Sequence, residues 1–155
     1  MASTVQLIDL YPYVFKQGEL HFLILKRAKN KIYAGQWRMI GGKVKKDEKR
    51  WQAAIRELNE ETGLRPNKFW CVPTLNHFYE PSGDDIHLIP AFAAEIEPDS
   101  TIRLDAEHQE YKWVPSDKIE QYIYWPEQKR IITLMDRLIL RDQILEDWII
   151  SSDHI

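Results

Sequence analysis

Apolar and polar positions change period several times along the chain. Residues 4 to 14 alternate weakly, with Val5, Leu7, Ile8, Tyr11, Tyr13 and Val14 apolar, and predict a strand. The turn signal Lys16-Gln17-Gly18-Glu19 separates it from a second apolar run, Leu20 to Lys26, so the pair predicts a hairpin. Arg27 to Gly35 is polar. From Asp47 the period becomes helical: Trp51, Ala54, Ile55 and Leu58 fall at i, i+3, i+4 and i+7 and predict one buried stripe. Gly63 stands where helices commonly end in a left-handed residue. The middle of the chain therefore reads as a glycine turn, a helix of about four turns and a glycine stop.

Further on, Phe69 to Tyr79 predicts a strand, with Pro73 requiring an edge or a bulge. Pro81 to Asp85 is a turn, and Ile86 to Ile96 a further strand. Pro98 to Ala106 is a polar loop, a suitable place for recognition. Tyr111, Trp113 and Val114 predict a short strand, and Ser116 is placed to cap a short helix through Tyr122. Pro126 opens a long helix whose apolar side runs through Ile131, Ile132, Leu134, Met135, Leu138 and Ile139. Ile144, Leu145, Trp148, Ile149 and Ile150 are expected to prolong it. Residues 1–150 are read as one domain and 151–155 as a frayed tail. Strands, then a helix, more strands and a last helix suit a mixed sheet with helices packed on it, an α+β arrangement.

Composition narrows the function classes. The net charge of the 155 residues is −3, which speaks against a broad basic face for long nucleic acid. Cys71 is alone, so no disulfide framework is expected and a reducing, cytoplasmic setting fits. No signal peptide is read at the N-terminus, and no apolar run is long enough to span a membrane.

The charged side of the central helix is harder to explain. Glu57, Glu60 and Glu61 lie within roughly 100° of one another around the axis. They repel, and they crowd the negative end of the helix dipole. A hard divalent cation held by oxygen ligands would compensate them, and Mg²⁺ is the usual candidate. The surrounding spacing is distinctive: Gly42, five residues, Glu48, seven residues, then Arg56-Glu57-Leu58-x-Glu60-Glu61-x-Gly63-Leu64. This stretch of residues 42–64 is a complete Nudix box, and the chain resembles the Nudix hydrolases.

The resemblance implies an α/β/α sandwich that uses Mg²⁺, with Mn²⁺ as an alternative, to hydrolyse a diphosphate linked to another moiety. By position, Glu57, Glu60 and Glu61 match the metal-binding and base-forming acids, and Gly41 or Gly42 the carbonyl ligand. Glu57 is the first choice of base. Arg56 and Glu48 match the pair that holds the loop on the helix. Arg27 or Lys26, with Lys43, is placed to face substrate phosphates. The segment Glu107-His108-x-x-Tyr111-x-Trp113 resembles the dihydroneopterin triphosphate pyrophosphatase branch, where an acid at the position of Glu107 joins the metal site. His108 reads as a hydrogen-bonding neighbour. The expected substrate is a small nucleotide or pterin polyphosphate, cleaved to a monophosphate and pyrophosphate by a monomer or homodimer. A dinucleoside polyphosphate hydrolase and a Nudix-fold binding module without turnover are the alternatives.

Overall fold

The computed structural model describes residues 5–151 and residue 153. Strands β1 (Leu7–Lys16) and β2 (Glu19–Arg27) form the expected hairpin, paired antiparallel from Tyr13↔Phe22 to Lys16↔Glu19. Gln17 and Gly18 turn the chain with φ of 53° and 78°, the left-handed region that makes the glycine useful there. Residue 4, the predicted start of β1, lies outside the described residues.

Beyond this pairing β1 and β2 part, and two short strands enter the gap. Strand β3 (Trp37–Arg38) pairs with β2 at Leu25↔Arg38 and Lys26↔Trp37. Strand β4 (Ile40–Lys43) pairs with β1 from Leu7↔Lys43 to Leu10↔Ile40. The sheet thus forks, and Gly41 and Gly42 sit on one arm of the fork. Strands β5 (Lys68–Glu80) and β6 (Asp85–Glu95) make a long antiparallel hairpin, with β6 parallel to β1. Strand β7 (His108–Pro115) runs antiparallel along β2. Strand β8 (Ile149–Ile150) pairs with β5 and completes an eight-stranded mixed sheet.

Helices α1 (Arg50–Thr62) and α2 (Pro126–Leu140) cover opposite faces. Alternation along a strand sends successive side chains to opposite sides, and β1 shows the division. Ile8, Leu10 and Val14 join Ala53, Ala54 and Leu58 of α1 in one core. Tyr11 and Tyr13 join Ile131, Ile132 and Met135 of α2 in the other. Within this second core the buried Trp70 indole N–H donates to the Tyr13 hydroxyl at 3.0 Å. The expected α/β/α sandwich is therefore the observed fold.

Several boundaries differ from expectation. Helix α1 starts at Arg50, because Asp47 has φ of 63° and is still turning the chain. Ala54 and Leu58 of the predicted stripe are buried, whereas Trp51 and Ile55 are half-buried and Ala53 takes a core place. Ser116 caps nothing: Ser116–Gln121 is a 3₁₀ helix whose cap position is Pro115. Helix α2 ends at Leu140 rather than running on to Ile150. Asp142 reverses the chain with φ of 51°, Glu146–Trp148 is one 3₁₀ turn, and Ile149–Ile150 become strand. Their apolar residues are still used, since Ile144 and Trp148 pack on the α2 core and Ile150 on the α1 core. Pro73 lies within β5 at a register shift between Cys71 and Leu75, the bulge that proline requires. Residues 152, 154 and 155 of the expected tail lie outside the described residues.

Arg56 ties the glycine arm to α1. Its Nε and Nη2 donate to the two oxygens of Glu48 at 2.8 and 3.0 Å. Nη2 also donates to the Lys43 carbonyl at 2.9 Å. Glu48 in turn accepts the Lys45 backbone N–H at 2.9 Å. A forked, charge-assisted pair of this kind adds geometry as well as energy, and Arg56 holds the Glu48 carboxyl below its ordinary value of 4.5.

Three outcomes are expected. Leu58→Ala, which empties a fully buried position, lowers stability by about 2–5 kcal/mol in chemical denaturation. Leu145→Ala, at an exposed position, stays within about 0.5 kcal/mol of the parent. A depressed folded pKa contributes stability above the unfolded value and loses it as pH falls through the folded one. Glu48→Gln is therefore less stable than the parent at pH 7, and the gap narrows as pH drops below about 4.5. Denaturation midpoints at stepped pH measure it.

Candidate active site

The acids of α1 occupy its last turns, which Gly63 closes with φ of 75° and an N–H bond to the Asn59 carbonyl. The three carboxylates meet different surroundings. Glu61 is 3% exposed. Its Oε1 lies 3.4 Å from His108 Nε2, and His108 Nδ1 lies 2.9 Å from Asp105 Oδ1. Its Oε2 is buried without a hydrogen-bond partner among the described residues. Burial drives the Glu61 carboxyl far above the ordinary carboxylate range, and the like charges of Glu57 and Asp105 push the same way.

Glu57 is also raised, first by burial, while Arg56 Nη1 at 2.8 Å pulls in the opposite direction. Its carboxyl lies against Gly42 so closely that a Cβ on that glycine would overlap it. Glu60 faces away: half its side chain is exposed, and its Oε2 takes a 3.2 Å contact with Arg56 Nη1. The structure thus brings Glu57, Glu61 and Gly42 together and leaves Glu60 on the rim beside Arg56.

The remaining predicted residues line or border one cleft of about 560 Å³ at the fork. Its walls include Gly41, Gly42, Lys43, Arg27, Glu61 and His108. Arg27 Nη1 lies 3.6 Å from Glu107, whose side chain is half exposed. Lys26 pairs with Glu110 at 3.8 Å instead. The acid that approaches Glu61 from the polar loop is Asp105, which joins Glu61 and His108 in a group whose ligand atoms all lie within 4.8 Å. Sequence reading passed over Asp105, since nothing in a polar loop distinguishes one aspartate from another. His108, expected as a hydrogen-bonding neighbour, is buried and stands between Asp105 and Glu61.

The residues fit a hard divalent cation. A buried Glu61 oxygen without a hydrogen-bond partner among the described residues and a second raised carboxyl packed against a glycine gather oxygen donors that a cation would stabilise in their ionised form. Oxygen donors are what Mg²⁺ takes.

The rest of the cleft has another character. Asp9 on β1 is buried, and burial raises its carboxyl, opposed by hydrogen bonds from Asn76, Gln128 and Tyr11. Asn76 Nδ2 donates to Asp9 at 2.7 Å and the Tyr11 hydroxyl at 3.2 Å. Phe78 and Trp125 meet edge to face nearby, with centroids 5.4 Å apart, and both line the cleft. A carboxylate inside the apolar run Leu7-Ile8-Asp9-Leu10-Tyr11 was a legible signal for this cluster that the sequence reading did not take up.

Comparison with known proteins agrees with this geometry. The model of the NUDIX domain matches residues 12–135. The CTP pyrophosphohydrolase of Escherichia coli is 34% identical over 104 residues, 64% of this chain and 70% of that protein. An octanoyltransferase of Myxococcus xanthus is 33% identical over 103 residues, 62% of this chain but only 27% of that protein's length. Among solved structures, a Caenorhabditis elegans Ap4A hydrolase in a binary complex superposes with a TM-score of 0.74 at 20% identity, covering 89% of this chain and 99% of that one. The box on α1, the forked sheet and the matching family model together place the chain in the Nudix family of hydrolases.

Proposed function

We propose that the chain is a Mg²⁺-dependent pyrophosphohydrolase that cleaves a nucleoside triphosphate or similar substrate to a monophosphate and pyrophosphate. The observation that carries this reading is the buried, unpartnered oxygen of Glu61 in a cleft that also presents Arg27, Lys43 and the glycine pair. The likeness to a CTP pyrophosphohydrolase supports it.

Glu57 and Glu61, with a carbonyl of Gly41 or Gly42, are the residues that would hold Mg²⁺; Glu60, on the rim beside Arg56, would reach it only by turning inward. When bound, the ion neutralises the phosphates and acidifies a coordinated water. Arg27 and Lys43 orient the phosphate chain and oppose its charge. Water attacks one phosphorus in line, the anhydride P–O bond breaks, and pyrophosphate leaves. The proton of the attacking water passes to the Glu57 carboxylate. Gly42 permits the close packing of Glu57, and Arg56 fixes that carboxylate's direction. His108 and Asp105 hold Glu61 from behind, as groups behind metal ligands commonly do.

Chelation is expected to abolish turnover and added Mg²⁺ to restore it, with pyrophosphate and a nucleoside monophosphate as products by mass spectrometry. Two nucleotides as products would instead identify a dinucleoside polyphosphate hydrolase. Glu57→Gln and Glu61→Gln each lower kcat by about 10²–10⁴-fold, and Glu61→Gln also weakens Mn²⁺ binding in calorimetry. Gly42→Ala lowers kcat by at least about tenfold, because the new Cβ displaces the Glu57 carboxyl; circular dichroism shows its fold retained. Full activity in either glutamine variant sinks the assignment.

A further inference from the structure

The cleft contains a second polar group that phosphate chemistry leaves unused. Asn76 is 3% exposed and Gln128 is 4% exposed. Asn76 Nδ2 donates to Asp9 at 2.7 Å, and Gln128 also acts on that carboxyl, opposing its rise. An ionised Asp9 accepts only, so the N–H ends of the amides face it. The carbonyl oxygens are thereby left over, and neither Asn76 Oδ1 nor Gln128 Oε1 has a hydrogen-bond partner among the described residues. Both residues line the cleft. Two buried acceptors without donors are costly to leave so, by more than a typical hydrogen bond returns.

These acceptors come from different elements, β5 and α2, and converge on Asp9 of β1. The Asp9 Oδ1 atom lies 3.6 Å from where a Cβ on Gly41 would stand, so the group adjoins the glycine arm. The neighbouring walls are aromatic. Phe78 stands edge to face with Trp125, and its ring stacks on His87 at 4.7 Å. Flat apolar walls around a pair of acceptors fit a planar heterocycle that carries N–H donors at its edge.

We propose that Asn76 and Gln128, oriented by Asp9, form a recognition floor that selects substrates whose ring presents an exocyclic amino group over those presenting a carbonyl oxygen there. The proposal deepens the pyrophosphohydrolase reading and rests on the same cleft. Asp9 is a positioning residue: it dictates which end of each amide faces the ring. Cytosine and uracil make the sharpest comparison, because an amino donor in one is replaced by a carbonyl acceptor in the other. A carbonyl oxygen facing the two buried acceptors repels them, and the N3–H beside it in uracil can serve at most one. Sites built to hydrogen-bond one group reject the analogue lacking it strongly. Sugar hydroxyls are also donors, so the ring and the ribose must be separated in the test.

The test measures kcat/KM for CTP, dCTP and UTP on the whole chain with Mg²⁺. In parallel, calorimetry follows binding of the α,β-methylene analogues of CTP and UTP, which requires no turnover. The expected result is preference for CTP over UTP by at least about tenfold in both measurements, with dCTP within about threefold of CTP. Asn76→Leu and Gln128→Met each move the CTP-to-UTP ratio toward one. Asp9→Asn, nearly isosteric, does the same while both acceptors remain, which a purely structural role for Asp9 would not produce. Should Asn76→Leu fail to fold by circular dichroism, the other two variants decide. Equal use of CTP and UTP, a ratio unmoved in Gln128→Met and Asp9→Asn, or a tenfold loss with dCTP overturns the proposal. Turnover without discrimination sinks this inference alone. Discrimination in binding without turnover upholds it and sinks the pyrophosphohydrolase reading.

Discussion

One guanidinium governs the geometry of the acid-rich loop and helix. Arg56 meets Glu48 through two nitrogens, Glu57 and Glu60 through a third contact surface, and the Lys43 carbonyl as well. Three carboxylates on the last turns of α1 repel each other and the helix dipole. A lysine could supply the charge but not the fork, which binds several acceptors in one plane. With Arg56 in place the glycine arm stays packed on the helix, and Glu57 and Glu60 are partly compensated. Glu61 lies beyond its reach and rests on His108 instead. The residual negative charge is thereby concentrated where Glu57 and Glu61 approach Gly42.

The fork in the sheet gives this charge somewhere to act. If β1 and β2 stayed paired to their ends, the glycine pair could not lie beside β1 and no cleft would open. Insertion of β3 and β4 moves Leu7, Ile8 and Asp9 onto one arm and Arg27 onto the other. Two sets of side chains then share one space: cations and carboxylates by the glycine arm, and a buried amide pair with aromatic walls beside them. Their separation follows from β1, whose odd residues Asp9, Tyr11 and Tyr13 face α2 while Ile8 and Leu10 face α1.

Much of this was legible in the chain. The box spacing located α1, Gly42, Glu48, Arg56 and the three glutamates, because local periodicity and fixed offsets encode them. The hairpin of β1 and β2 was equally plain from Gln17-Gly18 between two apolar runs. What escaped were features that depend on distant partners. Helix α2 was overextended because Ile144 to Ile150 are apolar at helical spacing, and no glycine or proline announces the reversal at Asp142. The unequal fates of Glu60 and Glu61 follow from where β7 and the loop at Asp105 return, about 45 residues later in the chain. Asp9, Asn76 and Gln128 come from three separate elements, and only packing makes them neighbours.

The return of the chain to β5 has a mechanical consequence. An unpaired sheet border is a template for adding foreign strands. Here β8 covers Phe69 and Trp70, and Pro73 with its bulge interrupts the next stretch. Two residues of strand and one imino acid together blunt that margin, so the long β5–β6 ribbon can form a wall of the cleft without offering an open border to neighbouring molecules.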